Sequence, residues 1–289
     1  MLKKRTNIFG VLVFALGFAA CGGFSGAQAS NIIDEDRLAL DAEPPMSLNQ
    51  LIHIKKENTL VEEDSGLPFD IRKDAIREAA ISLGARGGLA WRTYQIRKEM
   101  DKRTRYLDKV FDFSQVLIAA PSGLLIEPPI VTESVNAMLI EGGGQQAAVS
   151  DRVINIVMNA RIVSTARTWR NYLERAWSVV EPPPDILRPE NDTERALWAE
   201  LVKKGWKEGV RQADETFEED LNILLADFRG MVRYRMLLAQ GMISPPYALQ
   251  VDRGITGGGE EMRIGDRAVQ ITGVPELVPG FEQWQPASR

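Results

Sequence analysis

The side chains able to do chemistry are few in this chain of 289 residues, which has one cysteine, Cys21, and one histidine, His53. A metal site made of cysteine and histidine needs several such ligands at close spacing, so none is expected. A Ser-His-Asp triad would have to use His53, which stands beside a segment predicted to be flexible and is a poor place for a rigid base. The carboxylates of Glu218, Glu219 and Asp220 are interpreted as solvated groups on a helix surface. We therefore expect neither an enzyme nor a bound cofactor or metal.

Cys21 stands at the end of a signal-like segment. Three basic residues, Lys3, Lys4 and Arg5, precede an apolar run from Ile8 to Ala20, which is the layout of a secretory signal peptide. The run has 13 residues, whereas a helix that spans a bilayer needs about 20. We expect cleavage rather than a permanent transmembrane anchor.

The sequence Phe18-Ala19-Ala20-Cys21 resembles the bacterial lipobox, apart from phenylalanine where leucine is usual. The resemblance implies diacylglycerol on the Cys21 thiol, cleavage before Cys21 and acylation of the new amine; two or more acyl chains hold a protein firmly on a membrane. Gly22, which is not aspartate, favours the outer membrane over the inner one. The open alternative is an ordinary secreted protein with a chance cysteine at the cleavage site.

Charge and composition set the next limits. The chain has 35 basic and 40 acidic residues, and residues 1–20 contain three of the basic ones, so the chain from Cys21 onward carries a net charge of −8. This balance argues against a surface for nucleic acid. We predict a signal peptide over residues 1–20, a lipidated flexible tether over 21–50 and one periplasmic domain over 51–289, with a β-rich tail from about residue 245.

Two long stretches show helical spacing of apolar residues. The first runs from Asp70 to about Tyr106, and we predict a break at its glycines, 84–88. The second runs from Asn191 to about Gly241 and is expected to divide or kink between residues 205 and 209. A shorter helix is predicted over 165–177.

The second stretch presents small residues at every fourth position, which would form a groove where another backbone packs closely. Two tryptophans form a neighbouring ridge that we interpret as core. The candidate packing or interface residues are Gly205, Gly209, Ala213, Trp198 and Trp206.

Other segments favour strands. Residues 153–164 alternate apolar and polar side chains, which is typical of a half-buried strand. Residues 245–289 predict two or three short strands with tight turns at 256–261 and 265–266, and such strands would have to pair within a larger sheet or with a neighbouring subunit. The predicted fold class is α+β: a mainly helical body with long amphipathic helices, a small β-sheet and a C-terminal β-hairpin region.

Taken together, several segments resemble the DotC family, lipoproteins of type IVB secretion systems found in the Dot/Icm apparatus and in conjugative plasmids. The segments are RKDAIREAAISLGARGGLAWR, YLDKVFDF, LIEPPIV, RTWRNYL, the stretch from ERALWAEL to GMISPP and GITGGGEEMRIGDRAVQIT. None of these is a chemical motif, so the resemblance is one of overall pattern over most of the mature chain.

The resemblance implies a non-enzymatic component of an outer-membrane core complex, facing the periplasm within a large ring-like oligomer. It implies DotH-like and DotD-like partners, with support for delivery of the DotH-like protein to the outer membrane, and no direct contact with nucleic acid. The alternative is a lipid-anchored periplasmic chaperone or binding module of another envelope system. Effector secretion and plasmid conjugation are not distinguished by these residues.

Overall fold

Two long helices and two long β-hairpins make up most of the structure, a computed structural model that describes residues 44–55, 69–120, 123–141, 146–280, 282, 284 and 285. All of these residues lie in one compact unit, 43–289. The signal peptide and Cys21 lie outside the described residues, so their predictions stay predictions. Mixed helix and antiparallel sheet confirm the α+β class.

The helices are α1 (Leu48–Ile52), α2 (Phe69–Lys102), α3 (Thr104–Val110), α4 (Arg170–Leu173) and α5 (Asp192–Ala239). The strands are β1 (Ile118–Ala119), β2 (Leu125–Glu127), β3 (Ile130–Glu141), β4 (Gln146–Met158), β5 (Arg161–Val163), β6 (Tyr247–Gly258) and β7 (Glu261–Gly273). Short 3-10 turns occur at Phe113–Gln115 and Asp185–Leu187. The fold begins within the segment predicted as tether, because α1 starts at Leu48 and buries Leu51.

Glycines in α2 and α5 allow the two helices to touch backbone to backbone. A Cβ atom at Gly84 would lie 3.0 Å from the backbone nitrogen of Trp206, and one at Gly205 would lie 2.9 Å from that of Ala85. The predicted break at 84–88 is therefore wrong: α2 continues through these residues. The contacts with α5 offset the roughly 1 kcal/mol that each helical glycine costs.

Helix α5 is also continuous, so the predicted division between residues 205 and 209 is wrong. Its start is as predicted, because the Asn191 side chain accepts a hydrogen bond of 2.8 Å from the backbone N–H of Glu194, which satisfies one of the free donors of the first turn. Residues later in α2 contact residues later in α5, as Gly84 contacts Val202 and Gly209 contacts Leu89, so the two helices run in the same direction.

The strands form three separate antiparallel sheets: β1-β2-β5, β3-β4 and β6-β7. The strand predicted over 153–164 is two strands, because β4 ends at Met158 and β5 begins at Arg161 to pair with β2. The inward face is as predicted, since Ile154 and Ile156 pack against the core below.

The tail forms one hairpin of two long strands, where two or three short strands were predicted. Residues 265–266, predicted as a turn, lie inside β7, where the register shifts and Gly265 has a φ of 71°. Within the described residues β6 and β7 pair with each other alone, so they do not join a larger sheet of this chain; pairing with a neighbouring subunit stays a prediction.

The helix predicted over 165–177 shrinks to the single turn of α4. Trp169 is buried there, and its Nε1–H donates to Asp108 Oδ1 at 2.7 Å. Contacts with α5 hold this segment: Tyr172 within α4 binds Asp227, and Arg175 just after α4 binds Asp220. These tertiary contacts replace the local helical pattern.

The core has three clusters arranged along α5. One joins α1, α2 and the first half of α5, around Trp198. A second surrounds Phe113, Trp169 and Leu224. A third holds the first residues of β3 against the end of α5, with Val131 and Tyr234 fully buried. Helix α5 thus contributes residues to all three clusters and packs against the β3-β4 hairpin.

Candidate interaction surface

The small residues predicted as a groove on α5 lie against α2. Gly205, Gly209 and Ala213 are all buried, and a Cβ atom at Gly209 would lie 2.7 Å from the backbone nitrogen of Leu89. This face of α5 is therefore covered by the chain's own helix, which leaves it no room for a second molecule.

The two tryptophans beside the groove contact the N-terminal part of the fold. Trp198 is fully buried, and its Nε1–H donates to the carbonyl oxygen of Leu51 at 3.1 Å. Trp206 is partly buried and packs in the same cluster, with its ring 6.5 Å from that of Trp91. Both residues fix α1 and α2 to α5.

A buried ion network, which the sequence did not reveal, joins the small sheet to α5. The Glu127 side chain is 4% exposed, and its Oε2 accepts hydrogen bonds from Arg161 Nε (3.1 Å), Arg161 Nη2 (3.0 Å) and Arg167 Nε (3.1 Å). Arg167 also reaches Asp227 on α5, with Nη1 3.1 Å from Oδ2. A buried carboxylate is tolerated because these donors replace its water.

Tyr172 completes this network. Its hydroxyl donates to Asp227 Oδ2 at 2.8 Å and accepts from Arg167 Nη1 at 2.6 Å. Burial, followed by the hydrogen bond to Asp227, raises the pKa of Tyr172 above its usual range. The hydroxyl therefore stays protonated at neutral pH and links α4 to Asp227 on α5 by its hydrogen bond.

The β3-β4 hairpin projects an exposed apolar face. Met138 pairs with Val149 across the two strands, and they are 62% and 66% exposed. Ile140, two residues along the same face, is exposed as well. Within the described residues neither strand has another partner. The outer backbone groups of both strands are therefore free to pair.

The β6-β7 hairpin has the same character near its tip. Ile255 pairs with Ile264, and Met262 follows on the same face; all three are about two-thirds exposed or more. Polar groups mark other positions of this tip, where Thr256 Oγ1 donates to Asp266 Oδ2 at 2.8 Å. We call the two hairpins, β3-β4 (130–141 and 146–158) and β6-β7 (247–273), the exposed ribbons, because the apolar residues named above are exposed on them.

The chain after β7 returns to the body. Ser244 N–H donates to the carbonyl oxygen of Glu276 at 2.9 Å, and Val278 N–H donates to that of Met242, also at 2.9 Å. Ile243, paired with Leu277, is buried. The segments before and after the β6-β7 ribbon thus pair with each other at the body of the protein.

The groups weighed for catalysis lie apart from one another. His53 ends α1, with Nδ1 2.7 Å from the carbonyl oxygen of Asn49. Glu218 and Glu219 are exposed, as predicted, but Asp220 is buried and binds Arg175 through both oxygens, at 2.5 and 2.8 Å. The structure, over the residues it describes, contains no acidic, histidine or cysteine cluster suited to a metal ion. None of its described helices is long and apolar enough to cross a membrane.

The sequence did not predict the Glu127 network or the exposed apolar faces of the ribbons, for two different reasons. Glu127 lies between apolar residues and two prolines, which signals a buried carboxylate but not its partners 34 and 40 residues away. Strand alternation over 146–158 was seen in part, whereas exposure of the apolar face depends on what covers it. The network consists of Glu127, Arg161, Arg167, Tyr172 and Asp227.

The chain is similar to a known protein family over most of its length. No curated protein matches the sequence at a significant level. A family model described as type IV secretory system, conjugal DNA-protein transfer matches residues 70–286, which include both long helices and both exposed ribbons. The chain therefore belongs to this family, T4SS_TraI, of type IV secretory system proteins of conjugal DNA-protein transfer.

Proposed function

We propose that the protein is an outer-membrane lipoprotein that serves as a structural component of a type IVB secretion or conjugation core complex. The family membership over residues 70–286 carries this proposal. The matched range runs from one residue inside α2 to beyond β7, so it includes nearly all of both long helices and both hairpins.

The finer features rest on the sequence. The lipobox-like segment ending at Cys21 supports a lipid anchor, and Gly22 supports the outer membrane. The DotC resemblance supports DotH-like and DotD-like partners. The scaffold's role is then to hold partners through exposed surfaces, among which the two ribbons have free backbone edges and apolar side chains.

The anchor is tested by changing its attachment atom. Cys21→Ser should abolish incorporation of labelled fatty acid and release the protein from outer-membrane vesicles, because no thiol then accepts diacylglycerol. Mass spectrometry of the mature N-terminus provides the direct measurement. An unmodified N-terminus downstream of residue 21 would remove the lipoprotein part of the proposal.

The assembly role is tested by native purification of the unchanged protein. A core component should be recovered in a large ring-like particle that contains several other chains. Recovery with a single client would favour the periplasmic chaperone or binding module instead, and recovery alone would contradict both roles.

A further inference from the structure

A cavity of about 330 Å³ lies between α2, α5 and the segment 173–178. Small-molecule sites usually have volumes of about 300–1,000 Å³, mainly apolar walls and a few placed polar groups. Here Ile96, Met100, Leu173 and Phe217 supply apolar wall, and Arg97 is a charged group at the same cavity. The volume lies within this range, and the lining combines an apolar wall with polar and charged groups.

Arg97 is largely buried beside the cavity and makes one long ion pair among the described residues. The residue is 9% exposed, and its ion-pair partner in the described chain is Glu174, with Nη2 3.7 Å from Oε2. That separation exceeds hydrogen-bond length. Glu174 also lies 3.4 Å from Arg170 Nε, so two cations share one carboxylate. The five N–H donors of Arg97 match the geometry of a further carboxylate.

The other charges around the cavity restrict the ligand to a single negative charge. Arg175 is already bound to both oxygens of Asp220. Asp220 and Glu174 are themselves anionic and would repel a second charge on a bound anion. Of the two cations that line the first cavity, Arg97 is the one that makes no hydrogen bond to a carboxylate among the described residues.

The same apolar residues border a second cavity of about 360 Å³, which the charged residues Arg92, Glu99 and Arg103 also line. Ile96, Met100, Leu173 and Phe217 line both cavities, which are therefore neighbours. We propose that this pair of cavities binds a monocarboxylate with an alkyl chain, such as a medium-chain fatty acid. Arg97 receives the carboxylate, and the chain lies against Leu173 and Phe217.

The experiment is calorimetric titration of the purified full chain in the form in which it is isolated, with a titration into the same buffer as the blank. Octanoate should bind, whereas octanol, which lacks the charge, and acetate, which lacks the chain, should bind about tenfold more weakly or worse. Arg97→Gln should weaken octanoate binding about tenfold and leave octanol unchanged. Arg86→Gln, an exposed arginine of the same helix, is the matched control and should bind octanoate like the unchanged protein.

A second variant keeps the test decisive if Arg97→Gln fails to fold. Ala176 lines the first cavity yet is exposed, so Ala176→Phe should fill the cavity without disturbing the core and should abolish octanoate binding. Equal binding of octanoate and octanol, or unchanged octanoate binding by Ala176→Phe, would overturn the proposal. These outcomes are independent of whether Cys21 carries lipid or partners assemble.

Discussion

Gly209 shows how one residue type determines the spacing of the two long helices. A methyl group there would overlap the carbonyl oxygen of Ala85 and come within 2.7 Å of Leu89 N. Backbone atoms of a packed helix cannot move aside singly, so either the helices separate or α5 shifts. The glycine is thus required by the partner helix and not by the conformation of α5 itself.

We expect Gly209→Ala to lower the free energy of unfolding by about 1–3 kcal/mol, and Gly209→Leu to lower it further, because both overfill a closed contact. Chemical denaturation of the purified protein measures this. Gly258→Ala is the matched control: no atom lies within 4 Å of a Cβ built there, so its effect should stay within about 0.5 kcal/mol. Equal stability of the two alanine variants would contradict direct backbone packing.

Secondary-structure elements were predictable where a long apolar period coincided with a clear cap. The apolar positions of α5 and Asn191 located its start. The break in α2 was predicted wrongly because glycine's helical cost is local, whereas its benefit comes from Val202 and Trp206 more than 100 residues away. The helix predicted over 165–177 was also wrong because of long-range contacts: Arg175 and Tyr172 bind side chains of α5, and these contacts outweigh the local helical pattern.

The interaction surface was predictable only in outline. A β-rich tail followed from alternating residues and glycine turns, but the length of β6 and β7 did not, because Gly254 and Gly265 are irregular positions within strands rather than strand ends. The Glu127 network joins segments distant in sequence, and no periodicity encodes such a pairing. Local patterns in the sequence therefore predict the elements, whereas the contacts between distant segments become visible only in the fold.

The β6-β7 ribbon can be removed without its anchors. Truncation after Ser244 would also remove residues 274–278, which pair with 242–244. We therefore expect a cleaner result from replacing residues 248–272 with Asn-Gly, which joins the cross-strand partners Tyr247 and Gly273. The shortened protein should unfold at the same denaturant concentration within error, yet fail to recruit its partners in a pull-down.

Two outcomes would count against an interaction role for this ribbon. A stable shortened protein that still brings down DotH-like and DotD-like partners would show that the ribbon is dispensable for assembly. A marked loss of steady-state protein would show that the ribbon completes the local fold instead. Comparison of the pull-down with the protein level separates these cases.

The molecule as a whole combines a closed helical body with two open ribbons. In the body, two buried aromatic residues of α5 are hydrogen-bonded to backbone carbonyl oxygens: Trp198 donates to Leu51 and Tyr234 donates to Ser244. The ribbons leave apolar side chains and backbone edges exposed in the described structure. Isolated two-stranded hairpins are marginal in water, and open edges are not tolerated within lipid hydrocarbon. Both constraints favour neighbouring protein chains as the environment of the ribbons.

This conclusion predicts that charge on the β3-β4 ribbon disrupts assembly but not folding. Met138→Lys with Val149→Lys places two charges on the exposed cross-strand pair. The free energy of unfolding should change by less than about 0.5 kcal/mol per substitution, as is usual at exposed sites. Burying either charge against a neighbouring chain would be costly, so sedimentation of the native complex should shift from the large particle to smaller species. Ile223→Lys, at an exposed apolar position on α5, is the control and should leave the particle intact. A full-sized particle from the doubly charged protein would mean that the β3-β4 ribbon remains in water within the assembly.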